Sequence, residues 1–418
     1  MKINNEIRNI LLKRLLVTIG IILFIRLGTF LPVPGINHSE LAFYIQSHSV
    51  TRRLVSTFSG NDTFVIGLFT LNIFPYINAS ILMQLILGFS PKLAKLQKEG
   101  DLEGRRSINR LTRFITLIWA IVQSVSLTLY LKQILFNWNY LLASEIIIWL
   151  TTGAMIVLWL SEIITDYGLG NGASLLIYTN IIASLPNLSK TIISQNFNNF
   201  TIPSTLGISL LIFASLYGIV FLQEGVRIIQ LISSKQLNQS SLQDSITTDN
   251  YYLPLRFNQA GVMPIILTTA ILVVPNYVSN LGLLPRIDLP IALKSLSFVY
   301  WISYFALILL FSSFYSTIVL NPKDISDQLQ KMAVTIPGIR PGIQTTFYLK
   351  QVMKRITLVG ATMLAILVTI PNFLASTLSI TTLNGLSTTS LLILAGVVLD
   401  LVREVKNIYF SNIYNNMY

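Results

Sequence analysis

Apolar runs too long for a soluble core constrain this chain more than any other feature. The stretch "NILLKRLLVTIGIILFIRLGTFLPVPG", from Asn9 to Gly35, holds enough apolar residues to cross a bilayer, which takes roughly 20 per helix. It is too long and wrongly flanked for a cleaved signal peptide. Similar runs recur to the far end, and hydropathy places about ten spans, near 12–31, 69–88, 111–130, 145–165, 173–189, 204–224, 259–278, 298–320, 354–373 and 386–402. Composition agrees, with 53% hydrophobic and 11% charged residues where a soluble domain carries about 25% charge. Hydrocarbon offers the backbone no partners, so each span must close its own hydrogen bonds. The expected class is therefore an all-α polytopic membrane protein, one transmembrane domain over 1–418.

The formal charge of +12 is unevenly spread. Basic residues crowd the tail before the first span (Lys2, Arg8) and that span's start (Lys13, Arg14), the second–third connection (Lys92, Lys95, Lys98, Arg105, Arg106, Arg110, Arg113) and the eighth–ninth (Lys323, Lys331, Arg340, Lys350, Lys354, Arg355). The sixth–seventh adds Arg227, Lys235 and Arg256, and the C-terminal end adds Arg403 and Lys406. Opposite loops hold few. The positive-inside rule places both termini and these basic loops on the side of synthesis. Such a surface suits anionic lipid heads, acidic proteins or ribosomal RNA, and charge alone does not choose among them.

Several chemistries drop out early. Without cysteine there is no disulfide or thiolate metal site. His38 and His48 share one loop and lack a third ligand, so no metal is expected. No GxxxxGK[ST] loop occurs, which argues against nucleotide hydrolysis by that route. Glu162, Asp166, Glu224 and Asp400 sit near span ends rather than at the midplane, where coupled transporters place ionisable groups. An inverted-repeat secondary transporter is the alternative class, an intramembrane enzyme lacks a catalytic constellation, and no cofactor is implied.

Two further stretches stand out. In "TIPGIRPGIQT", Thr335 to Thr345, Pro337 and Pro341 fix φ and push Ile336 and Arg340 towards extended backbone, while Gly338 and Gly342 permit positive φ. A stiff turn presenting Arg340 outward is expected. "LVSTFSGNDTFVIGL", Leu54 to Leu68, is too short and polar to span, and reads as either a connecting loop or a re-entrant element in a protein-lined cavity. Arg26, about one turn inside the far end of the first span, is expected to snorkel in a structural role.

Taken in order, "RLGTFLPVPGI", "IFPYINASI", "KEGDLEGRRSINRLTR", "GLGNGASLLI", "LPLRFNQAGVMP", "LNPKDISDQLQKM" and "PGIRPGIQT" resemble the SecY family, the pore subunits of the Sec protein translocase. The resemblance runs from first span to last. It implies about ten helices in two inverted-repeat halves, 1–190 and 191–418, around an hourglass pore with a plug over 54–68. It implies a channel for unfolded preproteins that also releases hydrophobic segments sideways into lipid, not an enzyme. The matching pore-ring positions are Ile73, Ile77, Ala173, Ile177, Ile266 and Ile393. Ile73 and Ile77, like Ala173 and Ile177, are i,i+4 pairs that share a helix face. Stiff β-branched side chains suit a neck that recloses the same way and stays dry. Ala173 departs from the bulky residue usual there, so either the ring is looser or a neighbour fills the gap.

Asn78, Gln123 and Asn258 match the lateral gate, through which signal sequences exit. Arg340, Lys331, Arg105 and Arg106 match the face that docks the SecA motor ATPase or the ribosome. The sixth–seventh loop, "SSKQLNQSSLQDSITTDNYY", carries one lysine where relatives have a basic tip, which shifts docking towards the eighth–ninth loop. Implied partners are a SecE-like subunit, with or without a SecG-like one, signal sequences and the bilayer. The Ile-, Asn-, Lys- and Tyr-rich composition and the lack of a transit sequence favour a plastid thylakoid membrane, with a bacterial plasma membrane as the alternative.

Overall fold

A computed structural model describes residues 5–34, 36, 66–90, 102–132, 139–183, 202–233, 251–259, 261–268, 297–319, 321–377 and 388–415. The expected plug, apart from 66–68, lies outside these residues, as do both histidines and the tip of the sixth–seventh loop. The helices are α1 (Asn5–Phe30), α2 (Phe74–Phe89), α3 (Leu102–Leu131), α4 (Tyr140–Tyr167), α5 (Gly172–Ala183) and α6 (Ile202–Glu224). A short helix α7 (263–268) follows, then α8 (Ser297–Val319), α9 (Pro322–Lys331), α10 (Ile343–Thr377) and α11 (Thr388–Asn415). Among the described residues, α3, α4 and α10 contain segments long and apolar enough to cross a membrane, Arg106–Leu129, Tyr140–Tyr167 and Ile343–Pro371. Shorter apolar stretches lie at Phe74–Gly88, Gly172–Ala183 and Trp301–Ser316.

Helices outrun the expected spans where the chain is basic. α10 begins eleven residues before the span expected at 354, and α11 continues past 402 to Asn415. Lys and Arg are good helix formers, so nothing stops the helix at the hydrophobic boundary. Arg106, Arg110 and Lys350 thus stand exposed on helical extensions, with Lys354 and Arg355 exposed just inside the expected span.

The chain divides into two compact units, residues 1–198 with 397–418, and residues 199–396. In the first, α4 buries Ile146, Leu150, Gly153, Val157, Ser161 and Ile164, a single face at helical spacing. Gly153 is required there, because a Cβ would overlap the Leu68 carbonyl. Ile146, Leu150 and Ala154 pack with Val33, Ile66, Leu71 and Ala120. The outward side chains of α1, Leu16, Leu23 and Leu27 among them, are apolar and exposed, as befits contact with lipid.

The second unit holds two cores. One joins Ile219 and Leu222 of α6, Tyr304 and Ile308 of α8, Leu364 and Val368 of α10, and Leu392 of α11. The other belongs to a small headpiece that the helix-only reading did not contain. Strands β1 (Val226–Ser233), β2 (Tyr251–Arg256) and β3 (Val334–Thr335) form an antiparallel sheet in the order β2-β1-β3, with Ile229 opposite Leu253 and Ile232 opposite Thr335. "VRIIQLIS" is β-branched and alternates, with Ile229 buried and Ile228 exposed, which suits a sheet with one wet face. Pro254 lies on the outer strand β2.

Candidate functional site

The headpiece carries the proline–glycine turn. Asn321 caps α9 by accepting the Lys323 N–H (3.1 Å), with Pro322 at the first helical position. Met332 and Ala333 then turn the chain into β3, which is paired to β1. Gly338 and Gly342 have φ of +76° and +101°, conformations that glycine permits. The Ile339 N–H donates to the Ile336 carbonyl (3.1 Å), Ser326 Oγ to the Gly342 carbonyl (3.0 Å) and Thr345 Oγ1 to the Arg340 carbonyl (2.9 Å). The main chain of Arg340 is thereby held from α10 while its side chain stays exposed. Val334 and Ile336 lock the turn to Leu329, Leu349, Val352 and Met353 below it. Lys331 is exposed in the last turn of α9. Arg106 is exposed at the start of α3, in the other unit, and Arg105 lies in the same helical turn. Ile343, 89% exposed, and Phe347 add an apolar margin beside Arg340.

The expected ring residues fall into two sets. In the first unit, Ile73 and Ile77 are buried at the start of α2, while Ala173 and Ile177 are half-buried on α5. α5 starts where Asn171 Oδ1 accepts the Ala173 N–H (3.0 Å) and Thr165 Oγ1 accepts the Gly172 N–H (3.0 Å). In the second unit, Ile265 and Leu392 belong to the apolar core, and their neighbours Ile266 and Ile393 are half-buried beside it.

Of the expected gate residues, Asn78 is half-buried on α2 and Gln123 is half-buried on α3 with its Oε1 buried and lacking a hydrogen-bond partner. Asn258 Nδ2 donates to the Gly261 carbonyl (3.0 Å), closing the turn that enters α7. Next to it, Ser316 Oγ donates to Gln259 Oε1 (2.7 Å) and shares a hydrogen bond with Thr357 Oγ1 (2.8 Å), tying α8 to α10 and to that turn. Sequence reasoning missed this triad, since Ser and Thr inside apolar helices usually bond their own helix.

Arg26, expected to snorkel, turns inward instead: its Nη2 donates to the Thr179 carbonyl on α5. Also missed was Asn72, buried at φ +47° just before α2. Its Oδ1 accepts the Ile73 N–H (2.8 Å) and its Nδ2 donates to Asn180 Oδ1 (3.0 Å). An asparagine placed two residues before a helix that begins Phe-Pro was the available signal, because Asn tolerates the left-handed region and caps helices.

The SecY family profile matches residues 67–402. Protein translocase subunit SecY of Trieres chinensis is 64% identical over 415 residues, covering 98% of each chain. The Porphyra purpurea subunit of that name is 41% identical over 419 aligned positions (99% of this chain, 98% of that one). Its Synechocystis counterpart is 40% identical over 416 (97% and 93%). Among solved structures, a protein-conducting channel superposes with a TM-score of 0.64 at 18% identity, over 95% of this chain and 92% of that one. Sec61 from a canine ribosome–channel complex gives 0.59 at 16%, with the same coverage. With a profile match over most of its length and relatives this similar from end to end, the chain belongs to the SecY family.

Proposed function

We propose that the protein is the pore-forming subunit of a protein translocase, passing unfolded preproteins across a membrane and releasing hydrophobic segments sideways into it. The observation that carries this reading is the end-to-end correspondence with translocase subunits named SecY, on a chain with the fold of protein-conducting channels. The protein does no covalent chemistry in this reading. Ile73, Ile77, Ala173, Ile177, Ile266 and Ile393 form its dry neck, Asn78, Gln123 and Asn258 line the lateral gate, and residues 54–68 plug the outer funnel. A hydrophobic neck excludes ions by dewetting yet yields to a polypeptide. The polar gate suits displacement by a signal helix, because intramembrane hydrogen bonds average only about 0.6 kcal/mol.

The headpiece and the basic start of α3 are the proposed dock for a SecA-type motor or a ribosome, through Arg340, Lys331, Arg105 and Arg106. A rigid turn lowers the ordering cost of binding, and guanidinium forks match carboxylate or phosphate. A SecE-like subunit, with or without a SecG-like one, would complete the assembly. Algal and cyanobacterial relatives support a plastid thylakoid membrane, with a bacterial plasma membrane as the alternative and both termini stromal or cytosolic.

Reconstitution tests the reading. Vesicles holding this chain, a SecE-like subunit and a SecA motor should protect an unfolded preprotein from added protease when ATP is supplied. Solute flux driven by an ion gradient, with no preprotein protected under motor or ribosome drive, would replace the channel with a transporter.

A further inference from the structure

We propose that Asn72 and Asn180 form a side-chain clasp that sets the register between α2 and α5 and so keeps the channel sealed at rest. The inference rests on the channel reading above and adds a positioning pair to it. Ile73 and Ile77 follow Asn72 directly, while Ala173 and Ile177 precede Asn180 on α5. A hydrogen bond between the two asparagines therefore couples two of the chain segments that would line the neck. Asn72 is committed at both ends of its amide. Its oxygen takes the Ile73 N–H, an otherwise orphaned donor at a helix start, and its nitrogen reaches Asn180 Oδ1. The side chain cannot rotate without breaking both bonds, and its φ of +47° holds the backbone in the conformation that aims it.

A second tie acts on the same stretch of α5, where Arg26 donates to the carbonyl of Thr179, the residue before Asn180. α5 is thus held from α1 and from the start of α2 at one level. Small Ala173 gives this side of the neck little bulk to tolerate slippage. A slide by one helical residue, about 1.5 Å, would shift Ile177 relative to Ile77 by a large part of a methyl group's width.

The test measures resting ion conductance and preprotein translocation in parallel, on the reconstituted complex. Asn180→Leu removes the acceptor and leaves the Asn72 cap on Ile73 in place. It should raise resting conductance about three- to eighteenfold, the factor corresponding to one intramembrane hydrogen bond, while translocation continues. Asn180→Asp keeps an acceptor of the same shape and should stay as tight as the parent. Asn72→Leu combined with Asn180→Leu should leak no more than Asn72→Leu alone, because the shared bond is lost only once. A tight Asn180→Leu, an Asn180→Asp as leaky as the leucine variant, or strictly additive leaks would each overturn the clasp. A parent that translocates nothing would overturn the channel reading instead.

Discussion

Leu349 and Leu364 lie on the same helix, both fully buried, about four turns apart, yet they belong to two kinds of interior. Leu349 packs under the headpiece with Ile229, Leu255, Leu329 and Val334. Leu364 packs among α6, α8 and α11 with Ile219, Ile308 and Leu392. The headpiece core forms at the expense of water, so burial drives it directly. Between helices in lipid that drive is absent, and close packing and hydrogen bonds do the holding. The second region accordingly shows the Ser316–Gln259 and Ser316–Thr357 bonds, and buried hydroxyls such as Thr369 Oγ1 donating to the carbonyl of Ala365 (2.7 Å). The first relies on strand pairing and positive-φ glycines. One helix thus serves a water-built platform and a lipid-built bundle.

The sharpest break of this comparison is a matched pair of truncations. Leu349→Ala should cost about 2–5 kcal/mol, as for a buried core leucine, and loosen the turn that carries Arg340. Leu364→Ala should cost less, since separation into lipid exposes its side chain to no water. Denaturant titration in detergent micelles would measure both, and equal losses would erase the distinction between the two interiors.

Charge reversal at Arg340 comes next. If the turn presents a docking guanidinium, Arg340→Glu should weaken motor or ribosome binding by about 2 kcal/mol, roughly thirtyfold, and translocation with it. The folded complex should persist, because Arg340 is exposed and its main chain is held by Thr345. Lysine should rescue only in part, lacking the planar fork. Normal transport by the glutamate variant would reduce the turn to a structural element.

The lipid-built side has its own probe. If Ile77 and Ile393 line a common neck, Ile77→Ser with Ile393→Ser should hydrate it and raise resting ion conductance severalfold in planar bilayers, while the parent stays nearly silent. Ala173→Ile should tighten the seal or leave it unchanged. A double serine variant as tight as the parent would assign the seal to the plug alone. The smallest effect is expected at Arg113, whose Nε meets Glu162 at 2.8 Å with the two side chains 53% and 31% exposed. Arg113→Ala should change stability by no more than about 1 kcal/mol, as for exposed pairs, and less at high salt. A loss of several kcal/mol in thermal unfolding would show that this pair, linking α3 to α4, is shielded from water.

By itself the sequence determined what local rules can reach. Apolar length implied membrane helices, the loops carried the charge bias, and the prolines and glycines around Arg340 imposed a turn whose positive-φ residues fall where expected. Motif order also placed the chain in its family. What local rules could not reach were contacts whose partners lie far apart along the chain. Asn72 and Asn180 are separated by three helices' worth of sequence, and nothing near either names the other. β3 is two residues long and becomes a strand only because β1 offers it unpaired backbone groups. Arg26 turned inward because a carbonyl of α5 stood within reach. In each case a polar group took the nearest partner that packing supplied, and only the tertiary structure decides which partner that is.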